Sequence, residues 1–378
     1  MTVTVVCDVL GRENNGTTIA AMNLIRTLKS RGHEVRVVCA DRERRREEGY
    51  YVVPTYNLLF LNGYVAKNGV SLARPVKSII REALTGADEV HIMIPFGLGC
   101  AAAKLAKQMG IPISAGFHCQ AENFTNHIFL MNSKLANNIT YKVFYKKLYR
   151  YCDAVHYPTQ FICDVFETAA GPTNHYVISN GVNRIFKKGE AQKPDRFKDK
   201  FVILFTGRYS REKSHKVLLK AVSLSAHRDE IGLIFAGDGP QRKNIIEYAD
   251  ELGIERPMMN FFTRSELVNI INCADLYVHP AEIEIEAIAC LEALSCGKVP
   301  VISDSKRSAT RYFAIDDKDL FRCNDSADLA LKIDYWIEHP KERAERGREY
   351  EGYTDRFDFD NCMNAMEKMI IETAEKKK

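Results

Sequence analysis

Along most of the chain, short apolar runs rich in β-formers alternate with longer stretches whose apolar positions recur at helical spacing. In the first half, Val3 to Cys7, Glu34 to Val38, Glu89 to Ile94, Pro112 to Phe117 and Ala154 to Tyr157 have strand patterns. Helical patterns fall at Ile19 to Ser30, Val76 to Leu84, Ala101 to Lys107 and a long stretch ending at Tyr151. Such alternation predicts a parallel sheet with helices on both faces. Asn180-Gly181 marks a turn near the end of this region, and the polar, Lys-rich stretch Lys187 to Lys200 predicts a linker. A second alternation follows, with strands expected at Phe201 to Phe205, Gly232 to Ala236, Met259 to Phe262, Leu276 to His279 and Val299 to Ser303. A last amphipathic segment, Phe359 to Glu372, runs into a Lys tail. The pattern predicts an α/β protein of two Rossmann-type domains.

Composition agrees with that size: 378 residues, 46% hydrophobic and 27% charged, supply cores for two ordinary domains. No apolar run reaches the roughly 18 residues that would span a bilayer, and Met1 leads directly into Val3 to Cys7, so a cytoplasmic protein is expected. The 11 cysteines are scattered without a Cys-x-x-Cys pair and its partners, which argues against structural zinc and a disulfide framework. Formal charge is +4 overall, but residues 1 to 185 hold 21 Lys or Arg against 14 Asp or Glu. That excess suits an acidic ligand or an anionic membrane face, as well as an ordinary solvated surface. No nucleic-acid partner is expected.

Candidate chemistry concentrates in the second half. The run from Glu284 to Gly297 lies between two strand patterns, with a helix expected over Ala287 to Cys296 and Gly297 as its stop. In an open α/β sheet, the loop after a strand and the N-terminus of the next helix form the ligand crevice, where aligned N–H groups favour phosphate. Glu284 just before that terminus and Glu292 inside the helix can accept hydrogen bonds from sugar and ribose hydroxyls. Alternatively, Glu282, Glu284 and Glu286 only complement a helix dipole. Gly207-Arg208 follows a strand, and Lys213 precedes the helical Val217 to Val222, which places two cations at the sheet's carboxyl edge. Unless they are solvated loop cations, they would stabilise a departing diphosphate more than its ground state. Asp358-Phe-Asp360 has the letters of a metal-binding pair, yet its place beside the terminal helix predicts helix-start chemistry.

Taken in order, Gly207-Arg-Tyr-Ser-Arg-Glu-Lys213, Ala236-Gly-Asp-Gly-Pro240, Ala274-Asp275 and the Glu284 to Glu292 spacing resemble the family-4 retaining glycosyltransferases of the GT-B fold. Gly32-His33, Pro158-Thr-Gln-Phe161 and Ser179-Asn-Gly-Val182 extend the resemblance over nearly the whole chain. It implies two Rossmann-like domains facing across a cleft: residues 1–190 for the acceptor, 200–350 for the nucleotide sugar, and 355–378 as a helix packing back towards the first domain. By motif, Arg208 and Lys213 would hold the donor diphosphate, Glu292 the ribose and Glu284 the transferred sugar, with His118 facing that sugar. The implied donor-binding set is Gly16, Gly207, Arg208, Lys213, Glu284, Ala287, Ile288 and Glu292, with no metal and no further cofactor. Gly16, within Asn14-Asn-Gly-Thr-Thr18, stands where the family usually has paired glycines, and Glu286-Ala287 replaces an aromatic-glycine pair. Both departures bear on donor specificity.

The reaction so implied moves a hexose from UDP-glucose or a similar donor to a lipid or glycan hydroxyl with retained configuration. Ile285 to Leu294 and Ser308-Ala-Thr310 are similar to a subgroup acting on diacylglycerol. Tyr141, Phe144, Tyr145, Leu148 and Cys152 share one helical face, and Lys142, Lys146 and Arg150 another. Together these predict an acceptor presented at an anionic cytoplasmic membrane surface, although a core face with a solvated back has the same pattern. The alternatives are transfer to a soluble glycan, a nucleotide-sugar 2-epimerase of the same fold, and a non-catalytic partner subunit. The intact set Arg208, Lys213, Glu284 and Glu292 argues against the last.

Overall fold

The computed structural model describes residues 1–11, 16–57, 72–126 and 130–376. Asn14 and Asn15 of the glycine loop, and Lys377 and Lys378 of the tail, lie outside the described residues. The chain packs as two units, Met1–Asn180 with Asp360–Lys378, and Gly181–Phe359.

The first unit is built on β1 (Thr2–Cys7), β2 (Glu34–Cys39), β3 (Tyr50–Val52), β4 (Glu89–Ile92), β5 (Ile113–Gly116), β6 (Ala154–Tyr157) and β7 (His175–Val177). They form one parallel sheet in the order β3-β2-β1-β4-β5-β6-β7. Second-unit strands are β8 (Phe201–Thr206), β9 (Ile231–Ala236), β10 (Met258–Asn260), β11 (Leu276–His279), β12 (Pro300–Ser303) and β13 (Leu320–Phe321). Their order, β10-β9-β8-β11-β12-β13, is also parallel throughout. Each unit is thus a doubly wound, Rossmann-like half whose winding reverses beside its first strand. Helices cover both faces of such a sheet, so β4, β5, β6, β9, β11 and β12 are buried along their whole length and are mostly apolar, with Glu89, His91, Ser114, His156, His279 and Ser303 as their buried polar residues.

The polar stretch Lys187 to Lys200 packs with the second unit. Phe186 and Phe197 are buried in that unit's core, and the Phe197 ring takes the space that a side chain at Gly232 would fill, 2.5 Å from the position of its Cβ. The long helical pattern ending at Tyr151 resolves into helices Ala121–Asn126 and Lys134–Lys147 and a 3-10 turn Tyr149–Tyr151. Ser133 caps the second helix by accepting from the Ala136 N–H at 3.2 Å. The terminal helix Phe359–Glu375 buries Met363, Met366, Met369 and Ile370, and Glu367 accepts from Arg31 at 2.5 Å and pairs with His33 at 2.7 Å. Among the described residues, no helix is long and apolar enough to cross a membrane.

Candidate active site

The second sheet reverses its winding between β8 and β11, which pair directly through Leu276–Ile203 and Tyr277–Leu204. In an open α/β sheet the loops leaving such strands diverge at their carboxyl ends, and ligands bind there. Gly207, Arg208 and Lys213 follow β8, and Glu284 follows β11. Lys213 Nζ donates to Glu284 Oε1, and only 18% and 12% of the two side chains is exposed. His279 Nε2 meets the same oxygen at 3.1 Å, while His279 Nδ1 meets the Tyr277 hydroxyl at 3.1 Å. Tyr277 and His279 are two apart on β11 and so share one face of the strand. Burial alone would raise the Glu284 carboxyl, but the Lys213 ammonium and His279 prevail and hold it at about 2. Glu284 is therefore an ionised acceptor across the neutral range.

The three neighbouring glutamates have different surroundings. Glu282 accepts from Arg307 and, at 2.8 Å, from Asn324 Nδ2, so it ties down the loop. The Glu284 carbonyl accepts from the Ala309 N–H at 2.9 Å, which fixes the backbone from which its carboxylate projects. Glu286 is buried.

Backbone packing positions the cationic loop. A Cβ at Gly237 would lie 2.0 Å from the Gly207 carbonyl oxygen, and one at Gly239 2.6 Å from the Tyr209 carbonyl oxygen. The Ala236-Gly-Asp-Gly-Pro240 motif thus lets two loops touch backbone to backbone, and the Tyr209 N–H donates to the Asp238 carbonyl at 3.0 Å. A Cβ at Gly207 would press on the Phe205 ring at 3.2 Å, and the Lys213 Cδ, at 3.8 Å, would be in ordinary contact with it. Arg208, half-buried, occupies the next position.

The helix following Glu284 runs Ile288–Ser295, one residue shorter at each end than its pattern predicts. Ala287 precedes it with φ 63° and ψ 67°, a left-handed conformation in which a Cβ is strained. Gly297 also has positive φ, 71°, and ends the element as expected. Relief of the strain at residue 287 outweighs the added unfolded-state entropy of glycine. Ala287→Gly should therefore stabilise this unit by about 0.5–1 kcal/mol and raise its Tm by roughly 2 °C. A calorimetric scan showing an unchanged or lower Tm would contradict this. Glu292 lies inside the helix, buried; its carbonyl accepts from the Cys296 N–H at 3.3 Å, while its carboxylate makes no hydrogen bond among the described residues. Burial raises its carboxyl to about 7, against the opposing pull of Arg264.

In the first unit, His118 lies two residues beyond β5. A Cβ on Gly116 would sit 2.5 Å from His118 Nε2 and 3.6 Å from His91 Nε2, so this glycine lets the two imidazoles approach. Behind them, His91 Nδ1 meets Ser114 Oγ at 2.7 Å, and Ser114 donates both its hydroxyl and, at 3.0 Å, its N–H to Glu89. Burial, then His156 and His91, holds His118 well below the ordinary imidazole value, so it is neutral at pH 7. Thr17, next to the exposed Gly16 at the start of helix Gly16–Ser30, donates to the His118 carbonyl at 3.3 Å.

The predicted residues therefore form two groups. Gly207, Arg208, Lys213, Glu284, Ala287, Ile288 and Glu292 occupy the switch-point loops and the adjoining helix of the second unit, and Gly16 and His118 adjoin in the first. The family model of group 1 glycosyl transferases matches residues 186–351, and the Glycosyltransferase Family 4 model matches residues 14–184. The chain belongs to the family-4 glycosyltransferases.

Relatives and solved structures agree with that assignment. A GDP-mannose-dependent alpha-mannosyltransferase of Corynebacterium glutamicum is 27% identical over 325 residues, covering 80% of this chain and 72% of that protein. An alpha-monoglucosyldiacylglycerol synthase of Streptococcus pneumoniae is 23% identical over 300 residues, covering 74% of this chain and 66% of that protein. Anabaena HepE, solved with UDP and glucose, superposes with a TM-score of 0.77 at 16% identity, covering 98% and 100% of the two chains, and shares the GT-B fold.

Several residues of this glycosyltransferase were not singled out from its sequence. His279 and Tyr277 back Glu284, and their period-two spacing on a strand was visible. His91, Ser114 and Glu89 back His118, and only strand register, which pairs His91 with Ser114, brings them together. Asp358 accepts from Arg184 Nε at 3.1 Å immediately before the terminal helix. The donor cluster Cys163, Glu167 and His175 lies in the first unit, where the Glu167 carboxylate accepts from the Thr173 N–H at 2.9 Å and hydroxyl at 2.7 Å. That carboxylate secures the turn into β7.

Proposed function

We propose that this glycosyltransferase moves a hexose from UDP-glucose or a similar nucleotide sugar to a lipid or glycan hydroxyl, with retention and without a metal ion. The observation that carries the reading is the chain Tyr277–His279–Glu284–Lys213 at the β8/β11 switch point. Arg208 and Lys213 bind the diphosphate, and the start of helix Ile288–Ser295 adds N–H groups. Negative charge grows on the phosphate oxygen as its bond to the anomeric carbon lengthens, so fixed cations there favour the transition state. Glu284 accepts from hydroxyls of the transferred sugar and Glu292 from the ribose. His118, held neutral, offers its imidazole to a sugar hydroxyl. The acceptor hydroxyl forms the new bond on the face the diphosphate leaves, and the departing phosphate takes its proton. The names of two relatives, which specify mannose and glucosyldiacylglycerol, support a hexose and admit a lipid acceptor.

The test combines UDP-glucose or GDP-mannose with diacylglycerol and oligosaccharide acceptors in the presence of a chelator, and identifies the product anomer by NMR. Transfer with the donor's own anomeric configuration, undiminished by the chelator, is expected. An inverted product, or activity that returns only with manganese or magnesium, would overturn the reading. A new sugar nucleotide formed from donor alone would instead indicate the 2-epimerase.

A further inference from the structure

Strands β4 and β5 bring three polar side chains together inside the first sheet. Glu89 and His91 are two apart on β4 and so share one of its faces, while register pairs His91 with Ser114 on β5 and Gly116 with His156 on β6. Glu89, His91 and Ser114 are fully buried, and His156 is nearly so. Buried polar groups destabilise a fold unless they are hydrogen-bonded, and apolar side chains would fill the same space without that penalty.

The bonds among these groups fix where their protons lie. Ser114 donates its N–H to Glu89 Oε1 at 3.0 Å and its hydroxyl proton to the same oxygen. The Ser114 oxygen then accepts from His91 Nδ1, 2.7 Å away, so His91 carries its proton on Nδ1 and a lone pair on Nε2. Burial raises the Glu89 carboxyl to about 8, but Oε1 accepts whether or not Oε2 is protonated, so the chain has the same direction in both forms. Burial, then His156, pulls His91 down to about 3, which keeps its ring neutral. His156 Nε2 meets the Ile178 carbonyl at 2.6 Å and must donate to it, which leaves the His156 lone pair on Nδ1. His91 Nε2 and His156 Nδ1 are both buried without a hydrogen-bond partner among the described residues.

Both rings adjoin His118. A Cβ on Gly116 would sit 2.5 Å from His118 Nε2 and 3.6 Å from His91 Nε2, so the two nitrogens border one space, and any side chain at this position would separate them. The His156 and His118 rings meet edge-on with centroids 5.5 Å apart. We infer that His91 is a positioning residue for the transfer reaction: its Nε2 lone pair, held in place by Ser114 and Glu89, accepts a hydrogen bond from His118 Nε2–H, directly or through one water, and so fixes the His118 lone pair on Nδ1. The opposite tautomer of His118 would set two lone pairs against each other across Gly116. With its lone pair on Nδ1, His118 accepts from a hydroxyl of the transferred sugar. The inference deepens the proposed function and rests on it for that sugar contact.

Long-range proton–nitrogen correlation spectra of the full, ligand-free chain with isotope-labelled histidine read each tautomer, with His118→Asn and His91→Phe assigning the signals. Wild type should show His118 protonated on Nε2 and His91 on Nδ1. His91→Phe, which keeps bulk without a lone pair, and the milder Ser114→Ala, which removes one oxygen, should each leave His118 as a mixture of tautomers. Glu89→Gln keeps an accepting Oε1 and should preserve the wild-type tautomer, whereas Glu89→Leu should not. With donor and acceptor present, His91→Phe and Ser114→Ala should lower kcat about tenfold while donor KM stays within about twofold, since the His118 ring is reoriented and not removed. His118 protonated on Nδ1 in wild type would overturn the inference, and that reading needs no variant to fold. So would an unchanged Nε2 tautomer in His91→Phe and Ser114→Ala, because His91 would then only fill the core. Wild-type turnover in His118→Ala would remove the sugar contact of the proposed function and leave the tautomer chain standing. A wrong tautomer combined with lost turnover in His118→Ala contradicts the positioning role alone.

Discussion

Arg208→Ala and Lys213→Ala should each lower kcat about 100-fold or more at saturating donor, because each removes a fixed positive charge from the leaving group. The two variants should differ in stability. Lys213 is paired with a carboxylate that is nearly buried and also held by His279. Removing the ammonium leaves Glu284 uncompensated, at a cost on the order of 3 kcal/mol. Lost turnover in Lys213→Ala could therefore reflect local disruption. The double variant Lys213→Met/Glu284→Gln separates the two effects, since it removes both charges at similar volume. Its Tm should return towards wild type while turnover stays low. Wild-type turnover in Arg208→Ala or Lys213→Ala would remove these residues from the reaction.

Glu292 should make donor binding depend on pH in a direction that Glu284 cannot. Burial raises its carboxyl from 4.5 to about 7, so near neutrality the ligand-free protein holds this group partly protonated. Only the ionised form presents all its lone pairs to ribose hydroxyls, so donor affinity should increase as pH rises through 7 and level off above it. Below the folded value, affinity should fall by up to about tenfold per pH unit. In the ligand-free protein the raised value has the opposite consequence: its contribution to stability is complete below 4.5 and is lost as pH rises through about 7. Glu284, held at about 2, contributes no such slope in this window. Calorimetric titration with an intact nucleotide sugar avoids the terminal phosphate of a free diphosphate, which titrates nearby. The slope should vanish in Glu292→Gln, and Glu292→Ala should bind donor at least about tenfold more weakly at pH 8 with a smaller effect on kcat. An unchanged affinity would remove the ribose role.

Both sheets were legible in the sequence because strands covered on two faces are short, mostly apolar runs, and because the loops at their carboxyl ends carry the unusual residues. β3, β7 and β13 escaped, since they span only 3, 3 and 2 residues and offer no periodicity. Lys187 to Lys200 resembles a linker in composition, but one aromatic, Phe197, is accommodated by a glycine 35 positions along the chain, and no local pattern reports such a pairing. In the candidate site, Arg208, Lys213, Glu284 and Glu292 were accessible through motif order. The network behind them was less so. His91, His156 and His279 lie within buried strands, where an isolated polar letter gains meaning only once register supplies its neighbour. The strain at Ala287 was foreshadowed by a departure from the family's glycine, while its left-handed backbone is visible only in three dimensions.

The central claim is that a nucleotide sugar binds at the β8/β11 switch point of the second unit. A crystal structure with an intact nucleotide sugar, or a non-hydrolysable analogue, tests it most directly. The diphosphate should lie within hydrogen-bond distance of Arg208 and Lys213, with the Glu292 carboxylate accepting from ribose hydroxyls and Glu284 from the sugar. A nucleotide bound elsewhere, with the Lys213–Glu284 pair untouched and Glu292 without a ligand contact, would contradict the account.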